Sequence, residues 1–190
     1  MGRGDVSVAD DRSALRQLLR TRSVRTGDFE LSSGGRSSYY IDARLTTMSG
    51  AGQLLIGRCG VRELDARGWA PDAVGGLTLG ADPVAYALAH AAAAVDRTLD
   101  AFTVRKEAKQ HGTGRLIEGN LGAGAAVVVV EDVITTGESA LRAIRAVEDA
   151  GARVLGVLSV VDREEGGSDR IGAAGYAVTR LFRAAELLRE

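Results

Sequence analysis

Val127-Val128-Val129-Val130 constrains this chain more than any other stretch of it. Successive side chains on a strand point to opposite faces, so a continuous valine run cannot lie on a half-wet sheet. It suits a parallel strand buried on both sides. Such a strand needs a covering layer on each face, and the rest of the chain must supply it. The run passes directly into Glu131-Asp132-Val133-Ile134-Thr135-Thr136-Gly137-Glu138-Ser139. Two adjacent acids at the end of an apolar strand are costly to desolvate unless hydroxyls or a cation meet them.

The covering layer is legible as helical periodicity. Leu15, Leu18 and Leu19 share one face of a helix over residues 11–22. Leu54, Leu55, Val61 and Leu64 predict a helix over 51–67, stopped by Gly68. An alanine-rich stretch predicts another over 82–95. Leu141, Ile144 and Val147 mark a fourth, ended by Gly151. Strands are expected at 39–42, 73–76, 101–105, 127–130, 154–161 and near 177–178, with a helix at the carboxyl end. The alternation implies an α/β fold: a doubly wound, mostly parallel sheet with helices on both faces. Ligands of such sheets sit beyond the carboxyl ends of the strands.

A chain of 190 residues is expected to form one domain, residues 1–190. Its net charge of -1 argues against a dedicated nucleic-acid binder, which carries a basic face. Cys59 is the only cysteine, so no internal disulfide forms, and its helical context makes it a packing residue. His90 lies in the alanine-rich helix and is read as structural. No apolar run is long enough to span a membrane, and the start lacks a secretory pattern, so a cytoplasmic location is expected. Arg3-Gly4-Asp5 reads as a frayed terminus.

Two segments carry chemistry. In the first, Thr135, Thr136 and Gly137 follow the acid pair where the next helix begins. A helix start offers free N–H groups and the positive end of a dipole, which suits a phosphate. Gly137 lets the backbone approach that anion; Thr135 or Thr136 acting merely as a helix cap would leave Glu131 and Asp132 unexplained. The second segment is Arg105-Lys106-Glu107-Ala108-Lys109-Gln110-His111-Gly112-Thr113-Gly114-Arg115. It follows a strand and is rich in cations and glycine, as a lid over a polyanion would be. The chain has only two lysines, Lys106 and Lys109, and both fall here. Elsewhere it uses arginine, so this loop is built for compact ammonium charges.

The acid-pair segment with its valine run resembles the phosphoribosyl pyrophosphate (PRPP) motif of type I phosphoribosyltransferases. The lid segment resembles the catalytic loop of the orotate phosphoribosyltransferases within that group. Phe29-Glu30-Leu31-Ser32-Ser33-Gly34-Gly35 and Ser38-Tyr39-Tyr40-Ile41-Asp42 are similar to that family's amino-terminal segment, and Val74 to Pro83 to its pyrophosphate loop. Val161-Asp162-Arg163 places Arg163 on the family's orotate contact. The resemblance covers residues 29–165.

It implies the type I phosphoribosyltransferase fold, with residues 1–45 contributing a small hood over the base. It implies that Lys109, His111 and Asp132 are catalytic. Arg105, Lys106, Lys109, His111, Glu131, Asp132, Val133, Ile134, Thr135, Thr136, Gly137, Glu138 and Ser139 would bind PRPP. Thr135, Arg163, Tyr39 and Tyr40 would border orotate, the two tyrosines covering the flat base. Magnesium would be held by PRPP, with no direct protein side-chain ligand. A homodimer is implied, its 105–115 loop shared across the interface. Two positions depart from the family: Leu79 and Ser32 stand where many members carry lysine. A purine-type phosphoribosyltransferase would share the acid-pair motif but not the lid pattern. A non-enzymatic, PRPP-sensing RNA-binding regulator would need an extended basic face.

Overall fold

The computed structural model describes residues 8–30, 36–107 and 116–189. The chain opens with helix α1 (Val8–Arg22), then a two-stranded antiparallel ribbon of β1 (Val24–Glu30) and β2 (Arg36–Ile41). A short α2 (Arg44–Thr47) leads to α3 (Gly50–Ala66), β3 (Ala73–Leu77), α4 (Ala81–Ala93) and β4 (Asp100–Val104). Next come β5 (Ile117–Gly119), β6 (Ala126–Ile134), α5 (Glu138–Asp149) and β7 (Arg153–Asp162). The chain closes with α6 (Gly167–Ala173), β8 (Val178–Arg183) and α7 (Ala184–Leu188).

Six strands form one sheet in the order β5-β4-β3-β6-β7-β8. Every neighbouring pair is parallel except β4 with β5. The sheet grows outward from β3 in one direction and from β6 in the other. The order therefore switches between β3 and β6, which opens a crevice above their carboxyl ends.

The valine run lies at this centre. Val127, Val128, Val129 and Val130 are all fully buried, each worth about 1.5–3 kcal/mol of burial. Val128 and Val130 face a layer containing Leu15 and Leu19 of α1, Ile56 and Leu64 of α3, Leu88 of α4 and Leu187 of α7. Val127 and Val129 face Ala143, Ile144 and Val147 of α5 and Ile171 of α6. Both faces are covered, as a continuous apolar strand requires. Helix α1 is also pinned to α3 through buried Asp11, whose carboxylate meets Arg62 at 2.7 Å and Arg58 at 3.4 Å.

The structure departs from the sequence pattern at several places. Strand β6 runs on through both acids to Ile134, because β7 continues the pairing: Glu131 lies opposite Ser159 and Ile134 opposite Asp162. Helix α1 begins at Val8, three residues before the expected Asp11. Strand β1 was invisible as a pattern because most of its residues are exposed and, among the described residues, it pairs with β2 alone. Strand β5, at three residues, is too short to show a period. Among the described residues no helix is long and apolar enough to cross a membrane.

Candidate active site

The crevice between β3 and β6 gathers most of the residues singled out by the sequence. Glu131 and Asp132 sit near the carboxyl end of β6. Glu131 is only 5% exposed, and its Oε1 has no hydrogen-bond partner among the described residues. Burial, reinforced by the charge of Asp132, pushes its carboxyl up to about 8. Burial also raises Asp132, while the N–H of Val133, donating to Oδ1 at 2.8 Å, and the charge of Arg44 pull the other way. Glu131 thus tends to keep its proton near neutral pH. That pair can both donate to and accept from a polyhydroxyl ligand.

Beyond the acids the chain turns sharply into α5. The helix cap is Gly137, in the left-handed region at φ 75°, with no side-chain cap. Neither Thr135 nor Thr136 caps the helix, so a capping role does not account for these hydroxyls. A left-handed turn needs glycine, and it leaves the first amides of α5 without a side-chain acceptor. Glu131, Thr135, Thr136, Gly137, Glu138 and Ser139 line the resulting niche. Val133 and Ile134 line the niche too, Ile134 buried against the α5 layer and Val133 partly buried on the opposite layer. Gly167 at the start of α6 presses on this turn: a Cβ there would lie 2.3 Å from the Thr135 carbonyl oxygen.

The loop after β3 approaches from the other side. A Cβ on Gly80 would lie 2.4 Å from Oδ1 of Asp132, so glycine is what lets the loop close over that carboxylate. Asp82, at the start of α4, holds this loop in place. It accepts from the hydroxyls of Thr78 at 2.7 Å and Thr103 at 2.8 Å. The peptide bond between Thr78 and Leu79 is cis. Arg105 and Lys106 follow β4 and share a cavity of about 510 Å³ with Thr78 and Thr103. Arg105 lies 3.5 Å from Glu118, and its Nε has no hydrogen-bond partner among the described residues. Lys109, His111 and Ser32 lie outside the described residues.

Arg163 follows β7, and its N–H donates to the carbonyl of Ile134 at 2.9 Å, which sets it beside Thr135. Its guanidinium carbon stands 5.2 Å from the ring centre of Tyr39, a cation–π distance. Tyr39 and Tyr40 do not form one aromatic cover. They are successive residues of β2 and point to opposite faces of the ribbon. Tyr40 is exposed and lies 5.7 Å from the Phe29 ring.

The sequence reading missed Arg44. Its guanidinium is locked by Asp42 at 2.8 and 3.1 Å, and its charge is felt at Asp132. It shares an open groove with Arg22, Leu45, Met48 and Leu79. The only local signal was an Asp-x-Arg just past a strand; its distance of 88 positions from Asp132 hid the rest. Gly167 was missed for a similar reason, because its neighbour Thr135 belongs to a different strand–helix unit.

A family profile, the phosphoribosyl transferase domain, matches residues 58–173. The chain is 46% identical over 181 residues to the orotate phosphoribosyltransferase of Aquifex aeolicus, covering 94% of this chain and 98% of the relative. It superposes with a TM-score of 0.83 on the crystal structure of Mycobacterium tuberculosis orotate phosphoribosyltransferase in complex with Fe(III) dicitrate, at 49% identity and covering 94% and 99% of the two chains. A structure of the Mycobacterium tuberculosis enzyme in complex with PRPP gives a TM-score of 0.76 at 43% identity, covering 93% and 91%.

Proposed function

The chain belongs to the orotate phosphoribosyltransferase family, and on that premise we propose how it transfers the 5-phosphoribosyl group from PRPP to orotate. The products are orotidine 5′-monophosphate and pyrophosphate, a step of pyrimidine (UMP) biosynthesis. One observation carries the reading. An acid pair (Glu131 buried, Asp132 half-buried), a glycine-capped helix start and the close-packed Gly80 loop converge at the strand-order switch, with Arg163 over Tyr39 on the adjoining strand.

The 5′-phosphate lies in the niche of residues 135–139, where free amides and the helix dipole favour an anion. Glu131 and Asp132 hold the ribose hydroxyls and keep the anomeric carbon in line between base and leaving group. The pyrophosphate lies toward the Gly80 loop, Arg105 and Lys106. Reaction builds positive charge on the ribose ring and negative charge on the departing pyrophosphate. Arg105, Lys106 and Lys109 stabilise the latter, and His111 hydrogen-bonds it. Arg163 and Thr135 orient orotate, with Tyr39 against its face and Tyr40 on the outer side of the ribbon.

Among the described residues no group of three or more metal-ligating side chains converges. The charge of the acid pair suits a magnesium ion that PRPP oxygens would carry in, with no side chain of this chain as its direct ligand. That ion supplies charge neutralisation on the diphosphate. Residues 1–190 act as one phosphoribosyltransferase domain, the first 45 or so forming the hood. The protein works in the cytoplasm as a homodimer, each 105–115 loop serving the neighbouring site. Exposed Leu45, Met48 and Leu79 in the groove beside Arg44 support a covered face there.

The test is pyrophosphate release from PRPP and Mg²⁺ with orotate, uracil, adenine or hypoxanthine as acceptor. Turnover with orotate alone is expected. Comparable turnover with adenine or hypoxanthine would overturn the base assignment and favour a purine-type enzyme. Arg163→Ala should raise the orotate KM at least 10-fold and leave the PRPP KM unchanged.

A further inference from the structure

Arg163 is an unusual arginine. Its side chain is only 8% exposed, yet Nε and Nη2 have no hydrogen-bond acceptor among the described residues. These two nitrogens form one edge of the guanidinium fork, the edge that grips a planar pair of oxygens. Among the described residues the carboxylate that pairs with it is Glu165, whose Oε1 lies 2.7 Å from Nη2 without the angles of a hydrogen bond.

The turn that brings Glu165 there is pinned. Glu164 takes a left-handed φ of 60°, a conformation that costs a non-glycine residue about 1–3 kcal/mol. Buried Asp162 holds the turn from below. Its carboxylate accepts from the Glu164 N–H at 2.8 Å and the Ser168 hydroxyl at 2.6 Å, and meets Arg180 at 3.2 Å. Glu164 itself points elsewhere, 3.8 Å from Arg183 and 3.4 Å from the Ala185 N–H. Glu165 is left as the residue that faces Arg163.

Resting on the orotate assignment above, we propose that Glu165 is an affinity-setting residue. It neutralises the Arg163 guanidinium as an internal stand-in for the acceptor oxygens of the base, and orotate must displace it to bind. The contact is a charge pair with poor hydrogen-bond geometry, easily exchanged for a planar ligand that satisfies both fork nitrogens. Without Glu165 a buried cation would stand bare in the empty enzyme, at a desolvation cost. With it, the empty site is tolerable and orotate binds less tightly than the fork alone would permit.

The test is steady-state kinetics of Glu165→Gln and Glu165→Ala. Removing a tethered, half-exposed competing charge should lower the orotate KM about 3- to 10-fold. Product inhibition by orotidine 5′-monophosphate should tighten by the same factor, and the PRPP KM should not change. A merely structural role for Glu165 would raise the orotate KM or alter both substrates together. Either result, or an unchanged orotate KM in both variants, would overturn the proposal. The orotate assignment is judged separately, by wild-type turnover on orotate and by Arg163→Ala.

Discussion

Glu131→Gln keeps the shape of a buried side chain and removes its proton equilibrium. In the unfolded chain the Glu131 carboxyl titrates near its ordinary 4.5, and in the folded protein burial and Asp132 hold it at about 8. Between these values the folded state binds more protons than the unfolded state. Stability conferred by the neutral carboxyl is complete below pH 4.5 and is lost as pH rises toward 8. At about 1.4 kcal/mol for each pH unit, the wild type loses roughly 3 kcal/mol by pH 7 and roughly 5 kcal/mol above pH 8, relative to a side chain that never ionises. That is a large share of a typical folding free energy of about 5–15 kcal/mol. Glu131→Gln should therefore be close to neutral at pH 4.5 and increasingly stabilising toward pH 9, while binding of PRPP falls. Urea unfolding of both proteins at pH 5, 7 and 9 measures this, since groups not coupled to Glu131 cancel in the difference. A stability difference that stays flat across that range would refute the claim that Glu131 is buried as a proton-retaining acid. A variant that gains stability but keeps full PRPP affinity would show that the carboxyl does not serve the ligand.

Three other substitutions probe the rest of the site. Gly80→Ala puts a methyl 2.4 Å from the Asp132 carboxylate. Because a side-chain end can yield, thermal stability should change little while the PRPP KM rises about 10-fold or more; an unchanged KM would separate Asp132 from PRPP. Gly167→Ala meets backbone instead, the carbonyl of Thr135 at 2.3 Å and the nitrogen of Gly137 at 2.7 Å. It should lower both thermal stability and PRPP affinity, and an unperturbed melting temperature would show that α6 does not brace the turn. Lys109→Ala should lower kcat about 100-fold if its ammonium meets charge that develops only in the transition state, and near-wild-type kcat at saturating substrate would exclude that role.

Much of the architecture was readable because it rests on local rules. The valine run, the leucine periodicities and the glycine stops each act over a few residues, and they located most of the parallel strands and their covering helices. The acid pair and the threonine–glycine turn were readable for the same reason, being contiguous in the chain. Strand β1 escaped because an exposed ribbon leaves no hydrophobic period, and the continuation of β6 through Glu131 and Asp132 escaped because pairing with β7 decides it.

What the sequence alone determined was a set of chemical fragments: an acid pair, a threonine–glycine turn, a cation- and glycine-rich segment and a strand-end arginine. Their separate identities follow from residue types and short spacings. Tertiary structure decided how they meet. It set Gly80 against Asp132, Gly167 against the 135–137 turn, the charge of Arg44 where Asp132 feels it, and Tyr39 but not Tyr40 beneath Arg163. These relations depend on strand order and on which face a side chain takes. Both are settled by burying the two sides of one central strand, a long-range energy that no short window of residues contains.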